Sequence, residues 1–63
     1  MFNIKWRKDG DDTYMVVNGK ETNNLVCHWS GIYSAYLNNK EIGMADTLKE
    51  AKEMILLAGG YLG

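Results

Sequence analysis

Residues 25–58 hold the pattern that most constrains this chain: three short strand segments separated by two-residue turns, then one helix. In 25–29, Leu25, Cys27 and Trp29 share one face of a strand, and Val26 and His28 share the other. Ser30 and Gly31 can close a tight hairpin, because glycine tolerates positive φ. Residues 32–37 set Tyr33, Ala35 and Leu37 on one face against Ile32, Ser34 and Tyr36 on the other. Asn38 and Asn39 fit a type I′ turn, since asparagine enters the left-handed region more readily than most residues. Residues 42–45 form a short last strand.

The helix opens near Asp46 and Thr47. Either is a good N-cap, and Glu50, three residues after Thr47, completes a capping box. Leu48, Ala51, Ile55 and Ala58 recur at the helical period, with Met54 and Leu62 nearby, while Lys49, Lys52 and Glu53 fall toward solvent. Gly59 and Gly60 end the helix, one of them as a left-handed cap, and Tyr61 and Leu62 fold back on the sheet.

Upstream, Phe2, Ile4 and Trp6 alternate with Asn3, Lys5 and Arg7, the signature of a half-buried strand. A turn follows over 8–12, with Asp9 and Gly10 its strongest signal, and 13–17 reads as a second strand. Asn18 and Gly19 signal another hairpin. Residues 20–24 are too polar for a buried strand and read as a short ladder continuation or a loop. The order Trp, turn, Tyr, Asn turn, Lys-Glu occurs twice, around Trp6 and Tyr14 and around Trp29 and Tyr33. The spacings differ, so shared turn chemistry explains the echo better than duplication. The fold class is therefore α+β: an antiparallel sheet of three to five short strands, with one C-terminal helix packed on one face, in a single domain over 1–63.

At 63 residues the core is thin, because a chain of this size buries only about 60% of its unfolded surface. Cys27 is the single cysteine, so no internal disulfide can staple it; a lone thiol fits a reducing compartment, and the expected location is cytoplasmic. No apolar run approaches the roughly 20 residues that span a bilayer, and the first residues lack a signal-peptide core. Seven Lys and Arg against eight Asp and Glu leave a net charge of −1, without the basic excess that drives sequence-independent nucleic-acid binding.

Candidate chemistries are few. Cys27 and His28 are adjacent, so on a strand the thiol and the imidazole diverge and cannot act as nucleophile and base. One Cys and one His fall short of a zinc site. Asp9, Asp11 and Asp12 lack the distal glutamate of a calcium loop, and the glycines form no phosphate-binding pattern. The chain reads as no enzyme, with no cofactor and no metal.

Binding remains. With Tyr33, Ala35 and Leu37 under the helix, Ile32, Ser34 and Tyr36 face outward, joined by Trp29 or Trp6 according to register. Tyrosine and tryptophan are enriched where protein interfaces concentrate their energy. Another protein is thus the expected partner, with homodimerisation through the same face as a variant. The competing expectation is that the N-terminal hairpin folds over this face and buries it. The alternative is nucleic-acid binding through Lys5, Arg7, Lys8 and Lys40.

The spacing Trp29-x-Gly31-x-Tyr33-x-Ala35-x-Leu37, then Ile42-Gly43, then Thr47-Leu48-x-Glu50-Ala51-Lys52, resembles β-β-β-α DNA-binding modules. These are the domain of plant ethylene-response factors and the arm-binding domain of tyrosine recombinases (integrases). The resemblance covers about half the chain and implies three strands that carry Arg, Lys and Trp into the major groove. The matching positions here are Ile32, Ser34 and Tyr36, with Lys40 in the connecting turn. In its brevity the chain also resembles small phage-encoded accessory proteins, which often bind and inhibit a host protein. That format implies action in the host cytoplasm.

Overall fold

The computed structural model describes residues 2–61. They form β1 (Ile4–Asp9), β2 (Asp12–Val17), β3 (Lys20–Trp29), β4 (Ile32–Leu37), β5 (Lys40–Ala45) and α1 (Leu48–Ala58). The strands make one five-stranded antiparallel sheet in chain order, and α1 packs on β3, β4 and β5. None of the described helices is long and apolar enough to cross a membrane.

Two-residue turns create this meander. Asn18 and Gly19 (φ 51° and 82°) and Asn38 and Asn39 (φ 54° and 68°) have the paired positive φ of type I′ turns, whose twist matches that of the flanking strands. Ser30 takes φ 51° beside Gly31 at 79°, so a serine occupies a left-handed position that asparagine or glycine fills at lower cost. Because the Asn18–Gly19 turn is so short, β3 must run back beside β2. The N-terminal hairpin therefore extends the sheet edgewise, with β1 outermost, and does not fold across its outer face.

The polar stretch 20–24 continues the ladder as strand, one of the two readings its composition allows, and of its residues only Asn24 is buried. The β2–β3 register shifts between Tyr14↔Leu25 and Val16↔Glu21, and side chains secure the resulting bulge. Thr22 Oγ1 donates to the Met15 carbonyl at 2.8 Å and accepts from the Asn24 N–H at 3.2 Å. Asn24 is 2% exposed. Its Oδ1 accepts from the Asn38 N–H at 2.9 Å, and its Nδ2 points at Met15 Sδ and Tyr61 Oη, both at 3.4 Å. A polar side chain is tolerated inside because its partners replace water.

Met15, Val26 and Ala35 from the sheet meet Ala51 and Ile55 from the helix in the core. Met15, Val26 and Ile55, the larger of these side chains, each contribute about 1.5–3 kcal/mol when fully buried. Thr47 caps α1 through its Oγ1, which accepts from the Glu50 N–H at 3.2 Å. At the other end Gly60 (φ 76°) closes a Schellman motif: the Tyr61 N–H bonds the Leu56 carbonyl and the Gly60 N–H that of Leu57. This turn brings Tyr61 back onto the core, edge-on to Phe2 at 5.0 Å between ring centroids. Leu62 lies outside the described residues. Two helical positions differ from the periodic expectation. Ala58, the last residue of α1, is exposed, and Lys52 is half-buried, its Nζ 5.2 Å from the centre of the Trp6 ring.

Candidate functional site

A helix about 10 Å wide covers one face of a sheet some four strand spacings, roughly 19 Å, across. The opposite face is bare, and the register lays its side chains in rows. One row crosses all five strands: Arg7, Tyr14, Leu25, Tyr36 and Glu41. The next holds Asp9, Asp12, Cys27, Ser34 and Met44. Beyond it, at the β3–β4 turn, Trp29 pairs with Ile32.

Within these rows the apolar surface is concentrated at one corner. Trp29 is 77% exposed, Met44 61% and Ile32 42%. Tyr36 and Ser34, in the middle of the sheet, are half-buried by their cross-strand neighbours. A shallow depression lined by Asp12, Leu25, Cys27, Tyr36 and Asn39 lies beside them. Four of the five side chains expected at an interface thus share this face: Trp29, Ile32, Ser34 and Tyr36.

Trp6 does not join them. With Ile4 it occupies the helix side of β1, packed against the core and under Lys52. The same parity disposes of the internal echo. Trp6 lies on the helix face and Trp29 on the bare one, whereas Tyr14 and Tyr33 are placed the other way round.

The residues of the nucleic-acid alternative are not brought together. Lys5 and Arg7 project from the bare face of one edge strand, Lys8 from its helix face, and Lys40 starts the opposite edge strand. Arg7 is engaged: its Nη2 lies 2.6 Å and its Nε 2.8 Å from Glu21 Oε2, with Asp9 at 3.9 Å. Its guanidinium also stands over the Tyr14 ring, 5.1 Å from the centroid. The hydrogen bond to Glu21 holds the Arg7 pKa above its ordinary value.

Cys27 and His28 fall on opposite faces. The thiol faces Asp12 across the strands, and the imidazole stacks on Tyr33 with centroids 4.3 Å apart. A hydrogen bond to the Asp12 carboxylate, then burial and the charges of Asp12 and Asp11, push the Cys27 pKa up. That is the reverse of what activates a nucleophile. Among the described residues no three His, Cys, Asp or Glu side chains converge on a cation position.

Sequence reasoning missed Met44 and Leu25. A one-residue shift in β4–β5 pairing, between Ala35↔Gly43 and Tyr36↔Glu41, decides which residues of β5 face outward. By period Leu25 shares a face with Trp29, and only its pairing with Tyr14 and Tyr36 places it within a stripe. Comparisons with protein-family models, curated proteins and solved structures give no significant match for this chain.

Proposed function

We propose that this chain is a non-enzymatic protein-binding module that docks a partner on its bare sheet face. The observation that carries the reading is Trp29, 77% exposed, beside Ile32 and Met44, which are also exposed. An apolar group of this kind on a small domain is characteristic of an interaction site, and tryptophan is the residue most enriched at binding hot spots. Tyr36 and Leu25 extend the surface inward as a half-buried floor. Against catalysis stands the divergence of Cys27 from His28 and the upward shift of the thiol. Against nucleic acid stands the pairing of Arg7 with Glu21, and the width of the sheet between Lys5 and Lys40.

Affinity capture from a lysate of the source organism tests this, using the wild-type chain and the variants Trp29→Glu, Ile32→Lys and Leu57→Glu. Leu57 is 67% exposed but belongs to the helix, so it controls for nonspecific apolar contact. The expected result is one set of captured proteins shared by the wild type and Leu57→Glu and lost in both sheet variants, with circular dichroism unchanged. Equal capture by Trp29→Glu and Ile32→Lys refutes the assignment. A salt titration against duplex DNA should show no binding at low salt; affinity that falls steeply with salt would favour the nucleic-acid reading instead.

A further inference from the structure

We propose, resting on the docking role above, that the partner presents a basic side chain beside an apolar one, and that both enter the groove at the open edge of β5. This groove is lined by Ile32, Met44, Ala45, Asp46 and Glu50. Its lining thus combines apolar side chains from the sheet with two carboxylates from the entry to α1. Ile32 pairs with Trp29, so the exposed Trp29 lies on the next strand, beside a residue that lines the groove.

Charge is sorted along the strands. The end that bears Trp29 also bears Asp9, Asp11 and Asp12 at the β1–β2 turn, and Asp46 and Glu50 at the entry to α1. The Asp11 carbonyl accepts the His28 N–H at 2.9 Å, which fixes that acidic turn one residue from Trp29. Lys8 and Lys49 oppose these carboxylates but are outnumbered. At the far end Lys5, Lys20 and Lys40 lie at or near the starts of the three parallel-running strands β1, β3 and β5, where Glu21 and Glu41 offset two of them, so the excess of carboxylates is confined to the Trp29 end. The apolar corner thus sits at the negative pole of a chain whose overall charge is close to zero. Such a pole steers a cationic surface toward the corner and repels an anionic one. Trp29 adds a ring face that a lysine or arginine can cover, an interaction that strengthens as water is excluded. A leucine-sized group over Ile32 and Met44, flanked by an arginine reaching Asp46 and Glu50, satisfies every part of the site.

The test is a nuclear magnetic resonance titration of the isotope-labelled chain with three short capped peptides of one length. Their central residues are Arg-Leu-Arg, Glu-Leu-Glu and Arg-Ser-Arg. The expected result is that Arg-Leu-Arg moves the Trp29 indole, Ile32 and Met44 signals, and binds about fivefold more weakly to the Asp46→Asn/Glu50→Gln double variant. The other two peptides should bind more weakly than the first. Equal binding of Glu-Leu-Glu at the same signals overturns the basic-partner assignment while leaving the face a docking site. Shifts confined to the Asp9–Asp12 turn, or no shift with any peptide, overturn it as well. So do the same signals moving when the chain alone is concentrated, which would identify a second copy as the occupant. The capture experiment with Trp29→Glu judges the docking role separately.

Discussion

Asn24 offers the sharpest test of how this small sheet is held. It is buried in a strand segment that is otherwise polar, and it ties together β3, the β4–β5 turn and the C-terminal Tyr61. Asn24→Ala removes the acceptor of the Asn38 N–H at 2.9 Å and two long contacts at 3.4 Å, and leaves a small void beside Met15. One good hydrogen bond is worth about 1 kcal/mol net, and the void and weakened contacts add a similar amount, for a loss of about 2–3 kcal/mol. In a domain this small that corresponds to a fall of roughly 10–20 °C in Tm. Asn24→Asp keeps the shape and the acceptor but buries a carboxyl at a site 2% exposed. Burial raises its folded pKa above the unfolded value of about 3.9. The sign follows: below pH 4 the group is protonated in both states and the variant approaches wild type. As pH rises, the unfolded chain releases the proton first, and stability is lost. Urea melts followed by circular dichroism at pH 3.5 and pH 7, with wild type subtracted at each pH, measure both effects. A loss under about 0.5 kcal/mol for Asn24→Ala, or a pH-independent penalty for Asn24→Asp, would refute the claim that this side chain latches the bulge.

Ser30→Asn should stabilise the fold by about 0.5 kcal/mol, read from a thermal melt, because asparagine suits the left-handed position that Ser30 holds at φ 51°. Cys27 should alkylate slowly at pH 8, and Asp12→Asn should shift its rate–pH profile to lower pH, since the Asp12 carboxylate is the first cause of the raised thiol pKa. Gly43→Ala should change stability by less than about 1 kcal/mol, because the added Cβ meets only the terminal methyl of the flexible Met54 side chain, which can turn aside. In a Met54→Ala background, where that methyl is gone, the same substitution should be more favourable than in the wild type, as a double-mutant cycle in denaturant will show.

What could be read from the sequence was whatever local chemistry decides. The Asn18–Gly19 and Asn38–Asn39 turns, the Thr47 cap and the Gly60 stop each depend on residues within one turn of themselves, and all were legible. At 20–24 strand stands only as one of two readings and the burial of Asn24 is not legible, because what stabilises that side chain comes from Met15, Asn38 and Tyr61, distant in the chain. Lys52 reads as solvated on a helical projection, yet the ring of Trp6, on the far edge strand, lies beneath its ammonium group. Residue type alone makes Trp6 and Trp29 equivalent candidates, but strand parity puts the two on opposite faces.

That separation of faces explains why a domain with a thin core leaves an indole in water. Burying Trp29 would bring at least as much as the about 1.5–3 kcal/mol of a large aliphatic side chain, but the helix that could cover it is committed to the other side. The type I′ turn that follows fixes Trp29 opposite Ile32, at the end of the sheet, where no further strand can shield it. Moving it inward by one residue would reverse the facing of Val26 and His28 along with it, and expose a core valine. The register that buries Val26 therefore also displays Trp29. An outward charge at position 29 leaves that register untouched, whereas a charge at Val26 destroys it. This is why surface variants at Trp29 and Ile32 can separate binding from folding.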